Sequence, residues 1–388
     1  MSPLPTVKLR VRVTGRHPRF FKKQVQKPEV SIAPGSLVFV LDKLGRSVGT
    51  GFYNPRSTIT VRMLTRGKAP FARSDIVGLV REAIDFRERS PGFGLGLGKD
   101  ETAYRLVHAE GDGLPGLIVD RLGDCLVAQV FALGIVPSLE DIGHFLLGRY
   151  KGARLVLRVD ADARRLEGIR ESETGRVAGG ELVEDGLRYI YTPGEGHKTG
   201  FFCDQRENRK RLRALVRGRR VLDLCCNGGG FAMQALRGGA KRVLAVDLDE
   251  EVTALAQQNL ALNELRATVE HADAFDVLRD QGKDFDAIVL DPPKWIHGES
   301  DYETGAQRYL APNRLAFEAL PKGGLLLTCS CSGSLSEERF LAILRDAAAR
   351  ADKDVRILEV RGAGPDHPVA LECPETRYLK AVFCMVRA

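Results

Sequence analysis

No apolar run in this 388-residue chain approaches the ~20 residues that crossing a bilayer takes, and no secretory signal opens it. Repeats and low-complexity segments are also missing. Its eight cysteines do not form the spaced pairs of a zinc site, since Cys225 and Cys226 are adjacent and Cys329 and Cys331 lie two apart. That last spacing is not the C-x-x-C of a thioredoxin-like redox site either. Reduced thiols and a cytoplasmic location are the expectation. Acidic residues are absent before Glu29, where Lys8, Arg10, Arg12, Arg16, Arg19, Lys22, Lys23 and Lys27 accumulate. The net charge of +7 is therefore clustered, which favours a polyanionic partner.

What is present is organised around residues 221–249. Val221 to Leu224 is an apolar run of strand length, followed by Gly228-Gly229-Gly230, a helical spacing from Phe231 to Leu236, and a second run from Arg242 to Val246 ending in Asp247. Strand, glycine loop, helix, strand and terminal acid is the layout of a nucleoside-binding α/β half, with the acid able to accept from both ribose hydroxyls. The loop lacks the dinucleotide fingerprint of a dehydrogenase, because Met233 falls in its last slot. Farther on, Asp273 follows a short strand from Thr268 to Glu270 and is placed to meet an adenine amino group. The candidate cofactor residues are Asn227, Gly228, Phe231, Asp247, Leu248, Asp273, Ala274 and Asp291.

The remaining chain reads as three parts: a β-rich module over 1–70, a small α+β unit over 71–182 and the α/β domain over 183–388. In the first, Val7 to Val13 alternates as a strand should, and Leu37–Leu41, Val48–Tyr53 and Ile59–Met63 are further strands. Phe20 and Phe21 among the basic residues suit RNA, which needs phosphate contacts and stacking; a solvated face over two core phenylalanines is the plainer alternative. In the second, a helix capped by Asp75 precedes a glycine-rich link from Pro91 to Gly98, strands at 104–108, 117–120, 125–131 and 154–159, and a helix over 139–150. The tight turn from Gly111 to Gly116 reads as structural. A helix capped by Asp204 carries a second basic block, Arg206 to Arg220, which is either a solvated face or an RNA contact. Beyond the cofactor half, a helix over 250–263, strands at 285–290 and 324–328, a helix over 336–349 and a terminal strand pair at 355–360 and 378–385 complete an α/β sheet.

The chemistry lies at the strand ends. Asp291-Pro292-Pro293-Lys294 follows a buried-strand run, and two prolines cannot extend a sheet, so Asp291 sits at the carboxyl end where open α/β sheets keep their sites. The next strand leads into Cys329-Ser330-Cys331-Ser332-Gly333. A dehydrogenase has no use for these two features, whereas S-adenosylmethionine chemistry does. Base-amine methyltransferases place an aromatic after the two prolines; here that position is Lys294, with Trp295 next. A thiol instead answers the poor nucleophilicity of pyrimidine carbon 5, since thiolate addition at carbon 6 raises electron density there. Cys331 is preferred over Cys329 because it lies farther past the sheet edge. The other cysteines read as small buried apolar residues.

KTGFFCDQRENR, VLDLCCNGGGFA, DPPK, TCSCSG, Asp366-His367-Pro368-Val369 and Arg16-His17-Pro18 resemble the large-subunit ribosomal RNA 5-methylcytosine methyltransferase family over essentially the whole chain. The resemblance implies an N-terminal PUA domain, a linking α+β domain and a class I, Rossmann-like methyltransferase domain. It implies S-adenosylmethionine as cofactor, bacterial 23S ribosomal RNA as partner, Cys331 as nucleophile with Asp291 beside it, and Lys198, Thr199 and Gln205 in the cofactor pocket. The chain departs from the pattern at Cys329, Cys203 and Cys225-Cys226, and Pro18-Arg19-Phe20-Phe21 lacks a tryptophan. Uracil C5 or base-amine methylation, and a non-catalytic assembly factor, are the competing readings. Oligomeric state is not fixed by the sequence, a homodimer being one assembly it allows.

Overall fold

The computed structural model describes residues 3–89, 97, 100–170, 174–175, 177–193 and 200–387. Its contacts divide the chain into two compact units: 1–182 with 191–203 and 365–376, and 183–190 with 204–364 and 377–388.

In the first unit, β1 (Thr6–Lys8), β2 (Arg19–Phe21), β3 (Ser36–Leu41), β4 (Ser47–Tyr53) and β5 (Ile59–Met63) form a sheet in the order β1-β3-β4-β5-β2. The alternation from Val7 to Val13 outruns its strand: only 6–8 are paired, with Leu9 adding a bridge to Val25. α1 (Asp75–Glu88) buries Ile76, Val80 and Ile84, but Asp75 does not cap it; Ser74 holds that position and Asp75 accepts from Ala72 N at 2.7 Å. A second sheet follows, β6 (Ala103–His108), β7 (Leu117–Leu122), β8 (Cys125–Val130) and, after α2 (Leu139–Arg149), β9 (Arg154–Arg158). Only β8–β9 is parallel, as a helical crossover requires. α3 (Ala161–Glu167), not foreseen, is capped by Asp160. β10 (Gly180–Glu184) and β11 (Leu187–Tyr191) make a two-stranded sheet, most of which, 183–190, belongs to the second unit. All but Leu97 of the expected link from Pro91 to Gly98 lies outside the described residues.

The second unit is a doubly wound α/β sheet. Its elements are α4 (Arg206–Arg213), β12 (Arg220–Leu224), α5 (Gly230–Arg237), β13 (Arg242–Asp247), α6 (Glu250–Leu262), β14 (Thr268–His271), α7 (Ala274–Gln281), β15 (Ala287–Leu290), α8 (Tyr302–Ala319), β16 (Leu325–Ser330), α9 (Glu337–Arg350), β17 (Val355–Arg361) and β18 (Lys380–Val386). The order is β14-β13-β12-β15-β16-β18-β17, parallel up to β16 and antiparallel at β18. Strand period two splits the core: Leu222, Leu224, Ile288, Leu290 and Leu326 pack with α7, α8 and α9, while Val221, Val289, Leu325 and Leu327 pack with α4 and α5. Strand order reverses between β12 and β15, the crevice where such sheets bind ligands.

Three sequence expectations need correction here. α4 begins at Arg206, and Asp204 lies in the preceding turn, accepting from Tyr378 OH at 2.5 Å instead of capping. α7 and the 18-residue α8 were not foreseen; Pro312 inside α8 masks a stripe of Ala306, Tyr309, Leu310, Asn313, Ala316 and Phe317. β17 and β18 pair, but the 18 residues joining them are no tight turn, and 365–376 within them belong to the first unit.

Candidate active site

The loop after β12 is built from backbone that ordinary side chains avoid: φ is +59° at Cys225, +48° at Asn227 and +80° at Gly229. A Cβ at Gly229 would also lie 3.3 Å from Ala256 Cβ, so α6 approaches there only because the residue is glycine. Asp247, at the end of β13, accepts from Asn227 N at 2.9 Å through Oδ2 and from Asp249 N at 3.2 Å through Oδ1. It thus braces the loop it faces, and each oxygen keeps a lone pair. Gly228 N donates to Asn227 Oδ1 at 2.7 Å, and Asn259 Nδ2 on α6 donates to Gly228 O at 2.9 Å. Leu248 is 67% exposed beside Asp247. The Phe231 side chain is buried in the core with the Arg209 guanidinium 6.0 Å away.

Asp273 N-caps α7, with Oδ1 accepting from Phe275 N at 2.7 Å and Asp276 N at 3.3 Å. The cap bonds thus leave Oδ2 to face outward chemistry, with Ala274 opening the helix beside it. The acceptor set fits S-adenosylmethionine, since two carboxylates with lone pairs to spare suit a ribose diol and an exocyclic amine. Asp291 closes the crevice: Gln205 Nε2 donates to its Oδ2 at 3.0 Å, and Asn208 Nδ2 holds Gln205 Oε1 at 2.6 Å. Gln205 is buried and holds the Asp291 carboxylate in place. Lys198 and Thr199 lie outside the described residues.

Two residues escaped the sequence reading. Asn208, one turn along from Gln205, carried no signal beyond that spacing. Asp223 did, as an acid inside an apolar strand. It is fully buried, accepts from Ala232 N at 2.9 Å through Oδ2, and burial pushes it up to about 8, with Asp291 and Asp247 adding to the rise.

The two candidate thiols separate clearly. Cys329 is fully buried within β16, and burial raises its pKa well above that of an ordinary thiol. The strand ends at Ser330, and Cys331 beyond it is half-buried. The turn is pinned on one side by Ser330 Oγ donating to Tyr309 OH at 2.9 Å and Tyr309 OH sharing a 3.0 Å bond with Ser332 Oγ. Lys294 is exposed, while Trp295 packs on Tyr309 with ring centroids 4.8 Å apart.

The basic blocks behave differently from each other. In the first unit Lys8, Arg10, Arg12, Arg16, Lys22, Lys23 and Lys27 are exposed, with Phe21 42% exposed beside them. Arg19 pairs with Glu110 at 2.7 Å and Phe20 joins the core. The second block is mostly paired within its own unit: Arg206 and Arg209 are buried, Arg209 Nη2 meets Glu184 at 2.5 Å, and the partly exposed Arg211, Arg213 and Arg220 pair with Glu359, Asp185 and Asp286. The Asp366-His367-Pro368 motif is an anchor within the first unit, Asp366 Oδ2 accepting from Arg105 N at 2.9 Å and its carbonyl from the buried Arg87 at 2.8 Å. A Cβ at Gly111 would lie 2.2 Å from Pro368 O, which explains the tight turn there. Among the described residues, His17, Cys373 and Glu375 form a cluster with metal-ligand spacing, within 4.8 Å of one another. The Cys373 thiol, pushed up to about 12 by burial, donates to Glu375 at 3.3 Å, and His17 pairs with the same carboxylate at 3.3 Å.

Residues 8–66 match the model of a PUA-like domain, and 151–379 match that of the S-adenosylmethionine-dependent methyltransferases. Proteins named ribosomal RNA large subunit methyltransferase I from Aeromonas hydrophila and Cronobacter sakazakii are each 35% identical, with 96% of either chain covered. Among solved structures, a Streptococcus mutans protein described as a SAM-dependent methyltransferase aligns with a TM-score of 0.80 at 18% identity, over 99% of this chain and 100% of that one. A protein described as a methyltransferase complexed with SAH aligns at 0.79 and 19%, over 98% and 99%. Sheet order, glycine loop and acid-tipped strands, with these matches, define an S-adenosylmethionine-dependent methyltransferase carrying a PUA-like domain. The chain belongs to the ribosomal RNA large subunit methyltransferase I family. No helix among the described residues is long and apolar enough to cross a membrane.

Proposed function

We propose that this protein methylates carbon 5 of a cytosine in large-subunit (23S) ribosomal RNA, in the cytoplasm, with Cys331 as nucleophile. The functional division would be 1–70 and the exposed basic face for RNA, 71–182 as the link, and 183–388 for methyl transfer. The observation that carries the reading is a half-buried thiol one residue past β16, on the strand next to the one that ends in Asp291. The names of the relatives support ribosomal RNA as the substrate class.

When bound, S-adenosylmethionine supplies an electrophilic methyl group. The residues of this chain do the rest. Asp247 and Asp273 bind the nucleoside half, and Asp291, oriented by Gln205, orients the base. The Cys331 thiolate adds to carbon 6, and the carbon 5–6 electron pair becomes available at carbon 5 for methylation. Loss of the carbon 5 proton to a base then restores the double bond and expels the thiolate. Trp295 is engaged with Tyr309, and Lys294 stands where a stacking aromatic would serve amine methylation, which favours the carbon 5 reading.

RNA carrying 5-fluorocytosine at the target tests this. Fluorine cannot leave as a cation, so elimination stalls after methyl transfer and the protein stays joined to RNA through denaturing electrophoresis. Cys331→Ala is expected to abolish adduct and turnover, and Cys329→Ala to retain both. An adduct mapped to Cys329 reverses the assignment; normal turnover by the double variant removes covalent catalysis.

A further inference from the structure

Lys380 is an unusual residue to find at the first position of β18. It pairs in register with Ser330, the last residue of β16, and is only 1% exposed. Its side chain reaches along the strand end to the turn that carries the thiol. Nζ donates to Ser332 O at 2.6 Å and to Tyr378 O at 2.8 Å. Cys331 lies between Ser330, which fixes the backbone of Lys380, and Ser332, which receives its ammonium. Lysine is almost never buried without a counter-charge, because desolvation disfavours the charged form. Two neutral carbonyls are a weak return for that cost. A thiolate at Cys331 is an anion placed to complete it.

We propose that Lys380 is a positioning residue for methyl transfer: its ammonium clamps the Cys331 turn to the sheet and favours the thiolate form of Cys331. The proposal rests on the reading of Cys331 as nucleophile. Lys380 touches neither substrate nor cofactor in this role, since both hydrogen bonds of its ammonium stay within the protein. The thiol proton leaves to solvent before addition, and the lysine keeps its own. Burial pulls Lys380 down to about 8, and Cys331 is the largest of the charges that oppose the fall. It is therefore mostly an ammonium at neutral pH. Of the other charged groups facing it, Lys294 and Arg377 lower its pKa and Glu337 raises it, while Arg377 pairs with Glu337 at 2.6 Å. On the opposite side of the turn Tyr309 is held neutral by burial, its pKa raised further by Cys331.

The test is the pH dependence of Cys331 alkylation by iodoacetamide, followed by peptide mass mapping on the full-length protein. In the wild type the midpoint should lie below that of an ordinary thiol, about 8.5. Lys380→Met, which keeps length and removes charge, should raise it by about one unit, so that alkylation near neutrality slows about tenfold. The acid limb of the methylation pH profile should move with it, while Lys380→Arg retains most of the wild-type behaviour. Affinity for S-adenosylmethionine reports that each variant is folded. A folded Lys380→Met protein with an unchanged midpoint overturns the proposal. If that variant does not fold, a wild-type midpoint at or above the ordinary value overturns it alone. The nucleophile reading fails separately: were Cys331→Ala to keep turnover while the midpoint still shifted with Lys380, the thiol would be tuned but not catalytic.

Discussion

Asp223 shows how one residue can be read twice. In the sequence it is an acid interrupting Val221 to Leu224; in the fold it is the fully buried group on which α5 begins, through Ala232 N. Its pKa rises from an ordinary 3.8 to about 8, so the folded state holds a proton that the unfolded chain gives up. The resulting stability is complete below about pH 4 and is lost as pH rises through about 8. Urea unfolding across that window should show stability declining with pH, and Asp223→Asn, which stays neutral, should flatten the decline by on the order of a few kcal/mol. Equal slopes in the two proteins would mean that Asp223 is ionised in the fold. Such a position was visible as an oddity in the sequence. Its consequence was not, because the charges that act on it, Asp247 and Asp291, arrive from other strands.

At the scale of elements, α4 separates composition from role. Its run of arginines reads as a solvated or RNA-facing helix, but the helix turns Arg206 and Arg209 inward, and the Arg209–Glu184 pair is almost wholly excluded from water. Charge runs carry no information on which side faces a partner until a distant acid is known, here one on β10. Removing one member leaves the other buried and uncompensated, so Glu184→Gln should cost about 3–5 kcal/mol in denaturant unfolding. The RNA salt dependence of the surviving folded fraction should not change; a flattened dependence would return α4 to the RNA-binding surface. Elements with clean periodicity, β3 to β5, α6 and α9, were legible to within a residue or two. α8 was not, because Pro312 interrupts a pattern that its neighbours sustain by packing on Tyr309 and Phe317.

Across the whole molecule, both units expose lysines and arginines, and the stretch from Lys8 to Lys27 gathers seven exposed ones with no acid in its sequence. Replacing Arg16, Lys22 and Lys23 with alanine should lower the slope of log affinity against log salt by roughly two, at about 0.7 per lost phosphate contact on single-stranded RNA. Arg19 is excluded from that set by its largely buried 2.7 Å pairing with Glu110, whereas the pair Arg16 makes with Glu372 is long, at 3.9 Å, and exposed on both sides. A slope equal to wild type would assign these residues to solvation alone. The succession of β12 to β18 along the chain was legible in the sequence because each strand is an apolar run with a polar residue or turn at its end. The path of the chain between β17 and β18 was not, and it bears on the order of events during synthesis. Residues 365–376 complete the first unit, supplying the carbonyl of Asp366 to Arg87 inside it. A growing chain therefore cannot close this unit until residue 376 has left the ribosome, long after its first 182 residues have emerged. Translation halted before that point strands both units, one without its closing loop and the other without β18. The part of the protein made first thus waits for residues made near the end to complete its contacts.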